Sequence, residues 1–341
     1  VDGQTASAAE VNQNFTDLAT KVNAIVRKDD DASLTAVGYQ ALNQNTSSGR
    51  FNTAVGYQAL VSNESGTVNT ATGHKALFTN ITGKQNSAFG SFALQNNTGD
   101  DNTAIGYGAL LGNTTGTQNT ASGVSALLRN TEGNFNTTSG TNALTSNITG
   151  YSNTASGVSA LYSNTEGNGN TASGANALFN NTTGDNNTAS GSGALNSNTT
   201  GTQNTASGVN ALSFNTRGFG NTASGYKALF TSLTGSENTA YGKQALYNNS
   251  GGNYNTAIGS EALNGNAAGN RNTAIGYFAD VTSSALENAT AIGNSAKVNA
   301  SNKVRIGNTS ITVIEGEVAF SASSDARLKE DITVVDAGLA L

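Results

Sequence analysis

Apolar residues keep two different periods along this chain, and each period predicts its own kind of element. Near the start, Val11, Phe15, Leu18, Val22 and Ile25 are spaced 4, 3, 4 and 3 residues apart, which is the a/d seam of a heptad. Ser7, with Glu10 three residues later, supplies a capping box to open such a helix. The seam predicts a short α-helical coiled coil over residues 1–31, with Lys28-Asp29-Asp30-Asp31 as its exit. A single amphipathic helix docked on the next segment is the alternative reading, although isolated helices of this length are marginal.

From about Leu34 to Phe278 the pattern changes to a repeat, Asn-Thr-Ala-x-Gly-x-x-Ala-Leu-x-x-Asn-Thr-x-Gly-x-x. Its first Gly falls at 38, 56, 73, 90, 106, 123, 140, 157, 174, 191, 208, 225, 242, 259 and 276, a spacing of 17 with one 18 and one 16. Fixed hydrophobic positions at a fixed period mark a solenoid, not low-complexity disorder. Within one unit, Asn119-Thr120-Ala121-Ser122-Gly123 reads as a short strand with alternating faces. Ala126-Leu127 supplies the one reliably large apolar group, and Asn130-Thr131-Glu132-Gly133 reads as a corner with Gly133 at positive φ. Ala-Leu is kept from Ala41-Leu42 to Ala262-Leu263 and gives way to Ala279-Asp280 in the fifteenth unit. The pattern predicts that these Leu residues form one buried ladder. Before each Gly stands Val37, Val55, Ile105, Ile258 or Ile275 near the ends, but Ser122 through Ser224 in the middle. The sequence leaves open whether that Ser row faces inward or outward.

Composition restricts the picture further. In 341 residues, charged residues are 11% and aromatics 6%, Pro, Cys, Met and Trp are absent, and Gly occurs 41 times. That is too little large apolar mass for one thick core, since each buried Leu or Phe contributes only about 1.5–3 kcal/mol. One Leu per coil argues for stacking on neighbours and for packing between chains, hence a parallel homotrimer. The net charge of −6 gives no electrostatic footprint for nucleic acid. No apolar run is long enough to insert in a membrane. Without Cys there are no disulfides or thiolate metal sites, which suits an extracellular setting. Val1 in place of Met reads as a processed or trimmed terminus, a hint of export.

Downstream the spacing shortens, with Gly293 and Gly307 only 14 residues apart within Ala291-Ile292-Gly293 and Arg305-Ile306-Gly307. Ile311, Val313, Val318 and Phe320 then read as closing strands. The Ala-Ile-Gly and Arg-Ile-Gly phrases resemble the head repeats of trimeric autotransporter adhesins, whose fold is a parallel β-roll trimer. The 17-residue units look like a longer version of that coil, as in tail-fibre-type proteins. Ser324-Asp325-Ala326-Arg327-Leu328-Lys329-Glu330-Asp331-Ile332 resembles the start of the intramolecular chaperone domain of phage tailspikes and tail fibres. That resemblance implies trimerisation and a single self-cleavage before the Ser by a Ser/Lys pair, positions matched here by Ser324 and Lys329.

The expected fold class is therefore all-β, a homotrimeric parallel β-solenoid of 17-residue coils with a short N-terminal coiled coil. Its expected parts are 1–31 coiled coil, 32–287 shaft, 288–322 adhesin-head-like coil and closing strands, and 323–341 the beginning of the chaperone. The expected function is a non-catalytic attachment fibre, on a bacterial surface or a phage or injection-machine tail. Its partners would be its own copies and a cell-surface receptor or glycan. No cofactor or metal is expected: His74 is the only His, read as exposed and incidental, and Glu64, Glu132, Glu166 and Asp185 are scattered over corners. Gly167-Asn168-Gly169 lacks the Lys and helix start of a phosphate loop. The residues after each Gly, such as Tyr57, His74, Val124 and Tyr226, read as forming no patch. The rival from another class is an ice-binding solenoid, for which Thr53, Thr70, Thr103, Thr120, Thr137 and Thr154 would form the row.

Overall fold

The computed structural model describes residues 12–14 and 33–315. Each coil contributes one three-residue strand, from β1 (Thr35–Val37) to β15 (Thr273–Ile275), followed by β17 (Thr290–Ile292) and β19 (Val304–Ile306). These stack into one parallel, in-register, 17-stranded sheet, so that Thr120 pairs with Thr137 and Ser122 with Ser139. The chain is an all-β parallel β-solenoid. At about 4.8 Å per strand the stack is on the order of 80 Å long. The final step, from β17 to β19, pairs Thr290 with Val304 and so follows the 14-residue spacing. Ile311 and Val313 form no strand and are exposed, which corrects the closing-strand expectation for those two residues; Val318 and Phe320 lie outside the described residues. So do the five seam residues of the expected coiled coil, while residues 12–14 are helical and exposed.

The Leu ladder is present. All fourteen, from Leu42 to Leu263, are fully buried within one chain, flanked by the inward strand residue (Ala121 in one coil) and by Ala126. Leu127→Ala is expected to cost about 2–5 kcal/mol through the cavity it leaves, read as a lowered denaturation midpoint with the coil spectrum retained. Asp280 ends the ladder. Its carboxylate accepts from the N–H of Gly265 (3.2 Å) and of Val281 (2.8 Å), and Val281 takes over the burial. Desolvation pushes the Asp280 carboxyl above its usual range, opposed by those two N–H groups and by Lys297. Here a second small sheet begins, β16 (Asp280–Val281) on β18 (Lys297–Val298).

The corners differ from the expectation. Gly133 is not at positive φ; the left-handed residues are Ser125 (φ 56°), Leu127 (φ 51°) and Phe135 (φ 59°), with Gly123 at φ 139°. The buried Leu itself therefore turns the chain, at a strain of about 1–2 kcal/mol, which its burial offsets. Gly133 is required for a different reason. A Cβ there would overlap Asn130 Oδ1 and the Gly150 carbonyl, and would meet Asn147 Nδ2 at 2.5 Å.

Asn130 and Asn147 belong to the first of two buried Asn ladders; the sequence pattern reads Asn130 as a turn residue and Asn119, of the second ladder, as part of the strand. Asn130 Nδ2 donates to Asn113 Oδ1 of the preceding coil (2.6 Å) and to the Gly133 carbonyl (2.9 Å), and Asn147 Nδ2 repeats the pattern onto Asn130 Oδ1 (2.7 Å). In the second ladder, Asn119 Oδ1 accepts the Asn136 N–H (3.0 Å), and Asn119 Nδ2 donates to the Gly133 carbonyl (2.8 Å). The core of each coil thus adds hydrogen-bonded amides to its few apolar side chains, which satisfies polar groups that would otherwise be costly to bury. The two irregular spacings fall in this corner. Asn45 reaches Gly49 across four residues and Asn97 reaches Gly99 across two, each at 2.8 Å, so the bond survives insertion and deletion.

Ser232 interrupts the first ladder. It stands where every neighbouring coil has Asn, and both Asn215 Oδ1 and Ser232 Oγ are buried without a partner. Ser232→Asn is expected to stabilise the shaft by about 1–3 kcal/mol by supplying the missing donor. A higher urea midpoint with unchanged m would show it; an unchanged midpoint would count against the ladder as a source of stability.

Candidate interaction surface

The strand pattern exposed–buried–exposed turns two residues per strand outward. Because the sheet is in register, they form two straight columns. One runs Thr35, Thr53, Thr70 and onward to Thr290, ending in Val304; the other is the column before each Gly. This answers what the sequence left open: the Ser row, Ser122 to Ser224, faces outward beside the Thr row. Above and below it the same column is mostly apolar and exposed, with Val55, Phe89 and Ile105 at one end, where Thr72 interrupts them, and Tyr241, Ile258, Ile275, Ile292 and Ile306 at the other.

Next to the first apolar block the structure builds an aromatic stack, contrary to the expectation of no patch. Tyr39 stacks on Tyr57 (5.4 Å between ring centroids), Tyr57 on His74 (5.3 Å), and His74 meets Phe92 edge-on (5.0 Å), which meets Tyr107 in turn (5.6 Å). His74 is exposed, as expected, but it continues the aromatic column instead of standing alone. Phe92 was missed because it sits one position later in its coil than the others. The left-handed conformation at Phe92 (φ 62°), a backbone property, accompanies its place in the column. Elsewhere Tyr162 stacks on Phe179 (5.1 Å) and Phe230 on Tyr247 (5.2 Å), with Lys227 Nζ 5.0 Å above the Phe230 ring.

The stacked rings of Tyr39, Tyr57 and His74 use much of their faces on one another. What they offer to a partner is mainly edges. The Ser/Thr columns offer closely spaced hydroxyls on a flat support, and the apolar blocks offer branched side chains.

The other sequence candidates do not converge. Ser324 and Lys329 lie outside the described residues. Glu132, Glu166 and Asp185 sit on separate coils, and Asp185 Oδ1 accepts the Asn168 N–H (2.7 Å), so that the stretch Gly167-Asn168-Gly169 is tied to the next coil. Among the described residues no group of three or more His, Asp or Glu is placed to hold a metal ion, and no helix is long and apolar enough to cross a membrane. No family model matches the chain, and no curated protein matches its sequence.

Proposed function

We propose that the chain is a structural, non-catalytic fibre shaft that acts outside the cell, assembles as a parallel homotrimer and carries an attachment function. The observation that supports this most is the uninterrupted register of the coils. Seventeen strands stack in register along the described solenoid, with Asn and Leu ladders inside most of its coils, so load along it is shared by many equivalent hydrogen bonds. Such a rod spaces its two ends. The heptad seam of Val11, Phe15, Leu18, Val22 and Ile25 supports the trimer, and a surface receptor or glycan is the partner class at the end of the fibre. Ser324 and Lys329 keep the single self-cleavage that the chaperone resemblance implies. Mass spectrometry of the expressed chain tests that, since Ser324→Ala should leave it uncut. The shaft reading itself is tested by solution scattering and sedimentation: an elongated particle of three chains is expected, and a compact particle would refute it.

One observation favours a second reading, ice binding. Thr and Ser lie in two in-register outward columns over the strands from Thr120 to Ser224. Slowed ice growth by the purified chain would support it, and normal ice growth would remove it.

A further inference from the structure

We infer that the outward face of the 17-stranded sheet is the surface on which copies of this chain pack against one another. The inference rests on the fibre reading and assigns the contact to particular residues. Two residues per strand over seventeen strands make thirty-four outward positions, and none of them carries a charge. Charged side chains occur elsewhere on the coils, for example Lys75, Glu132, Lys227 and Glu261. A face meant for water ordinarily includes Lys or Glu, because neither is easily buried. Large apolar residues that remain exposed along a straight line, such as Phe89, Ile105, Ile258 and Ile275 at 40–48% exposure, mark a contact surface.

The shape selects the occupant. The column is straight, repeats once per strand, and runs the full length of the stack, so a second solenoid of the same rise matches it residue for residue. A three-residue strand is about 10 Å long and the stack on the order of 80 Å, which gives on the order of 800 Å² per copy. That is about what each partner contributes to a stable protein interface. The two ends supply apolar contact. The central Ser column, Ser122 to Ser224, keeps side chains small so that the copies approach closely along the whole length, with hydroxyls free to pair across the contact.

The absence of Cys permits a direct test. Ser173→Cys at the centre of the face and Ile275→Cys in the apolar block are made singly in the full chain, with Arg129→Cys, exposed midway along its coil between the strands Thr120–Ser122 and Thr137–Ser139, as control. The unmodified chain is weighed by sedimentation, and the variants are exposed to a short bis-maleimide. The expected result is an assembly of several 34.3 kDa chains and at least tenfold more cross-linked product from Ser173→Cys and Ile275→Cys than from Arg129→Cys. A multi-chain assembly in which all three variants cross-link alike overturns the assigned face and leaves the fibre reading standing. A folded monomer overturns both, and leaves the Thr/Ser columns open to the ice-binding test.

Discussion

Asn130→Ala is expected to lower stability by about 2–6 kcal/mol, more than any exposed substitution on the same coil. Three hydrogen bonds disappear together: the donations to Asn113 Oδ1 and to the Gly133 carbonyl, and the acceptance from Asn147 Nδ2. The Gly133 carbonyl keeps Asn119 Nδ2 as a partner. Asn113 Oδ1 and one Asn147 N–H are left buried and unpaired, each at about 1–3 kcal/mol. Asn130→Asp should be at least as damaging, since a carboxylate brings no N–H to donate and adds a buried charge. Denaturant midpoints for Asn130→Ala and for the exposed Glu132→Ala on the same coil decide the matter. Equal midpoints would show that the ladder is a consequence of the stacking and not one of its supports.

Gly123→Ala is expected to be the most damaging single-methyl change in the shaft. At φ 139° a side chain is strained, at about 1–3 kcal/mol. Its Cβ would also meet the Gly140 carbonyl carbon at 2.6 Å, so the two coils have to separate where their backbones are closest. The strand bonds then lengthen on both sides of the contact. Gly133→Ala lacks the φ strain, although its Cβ too would overlap a carbonyl of the next coil, that of Gly150, together with the Asn130 amide. The expected order of melting temperatures is therefore wild type, then Gly133→Ala, then Gly123→Ala. A Gly123→Ala variant that melts with wild type would mean that the coils are further apart than the structure has them.

Much of the fold is legible in the residues because a repeat reports its own geometry. Fifteen Gly residues in register imply stacked coils, and stacked coils place Leu42, Leu60 and their successors above one another. Burial of that column then follows. The strand position at Thr120–Ser122 follows as well, since small residues alternate there. The surface is less legible. Period alone shows that Val55, Phe89 and Ile258 share a column, but not which side of the sheet it lies on.

The sequence by itself determined the period, the strand, the Leu ladder and its stop before Asp280, because each depends only on which residues recur and how far apart. Tertiary structure decided the rest. It put the positive φ on Leu127 and not on Gly133, because the chain must turn while its largest side chain stays inside, and burial outweighs the local strain. It put Asn130, a corner residue by pattern, and Asn119, a strand residue by pattern, into the core, because an Asn amide has a donor and an acceptor that can span one strand spacing and so bond the identical Asn of the next coil. A residue's preference for turns describes an isolated segment. In a stack the neighbour one coil away supplies the hydrogen-bond partner, and that neighbour is 17 residues distant in the chain.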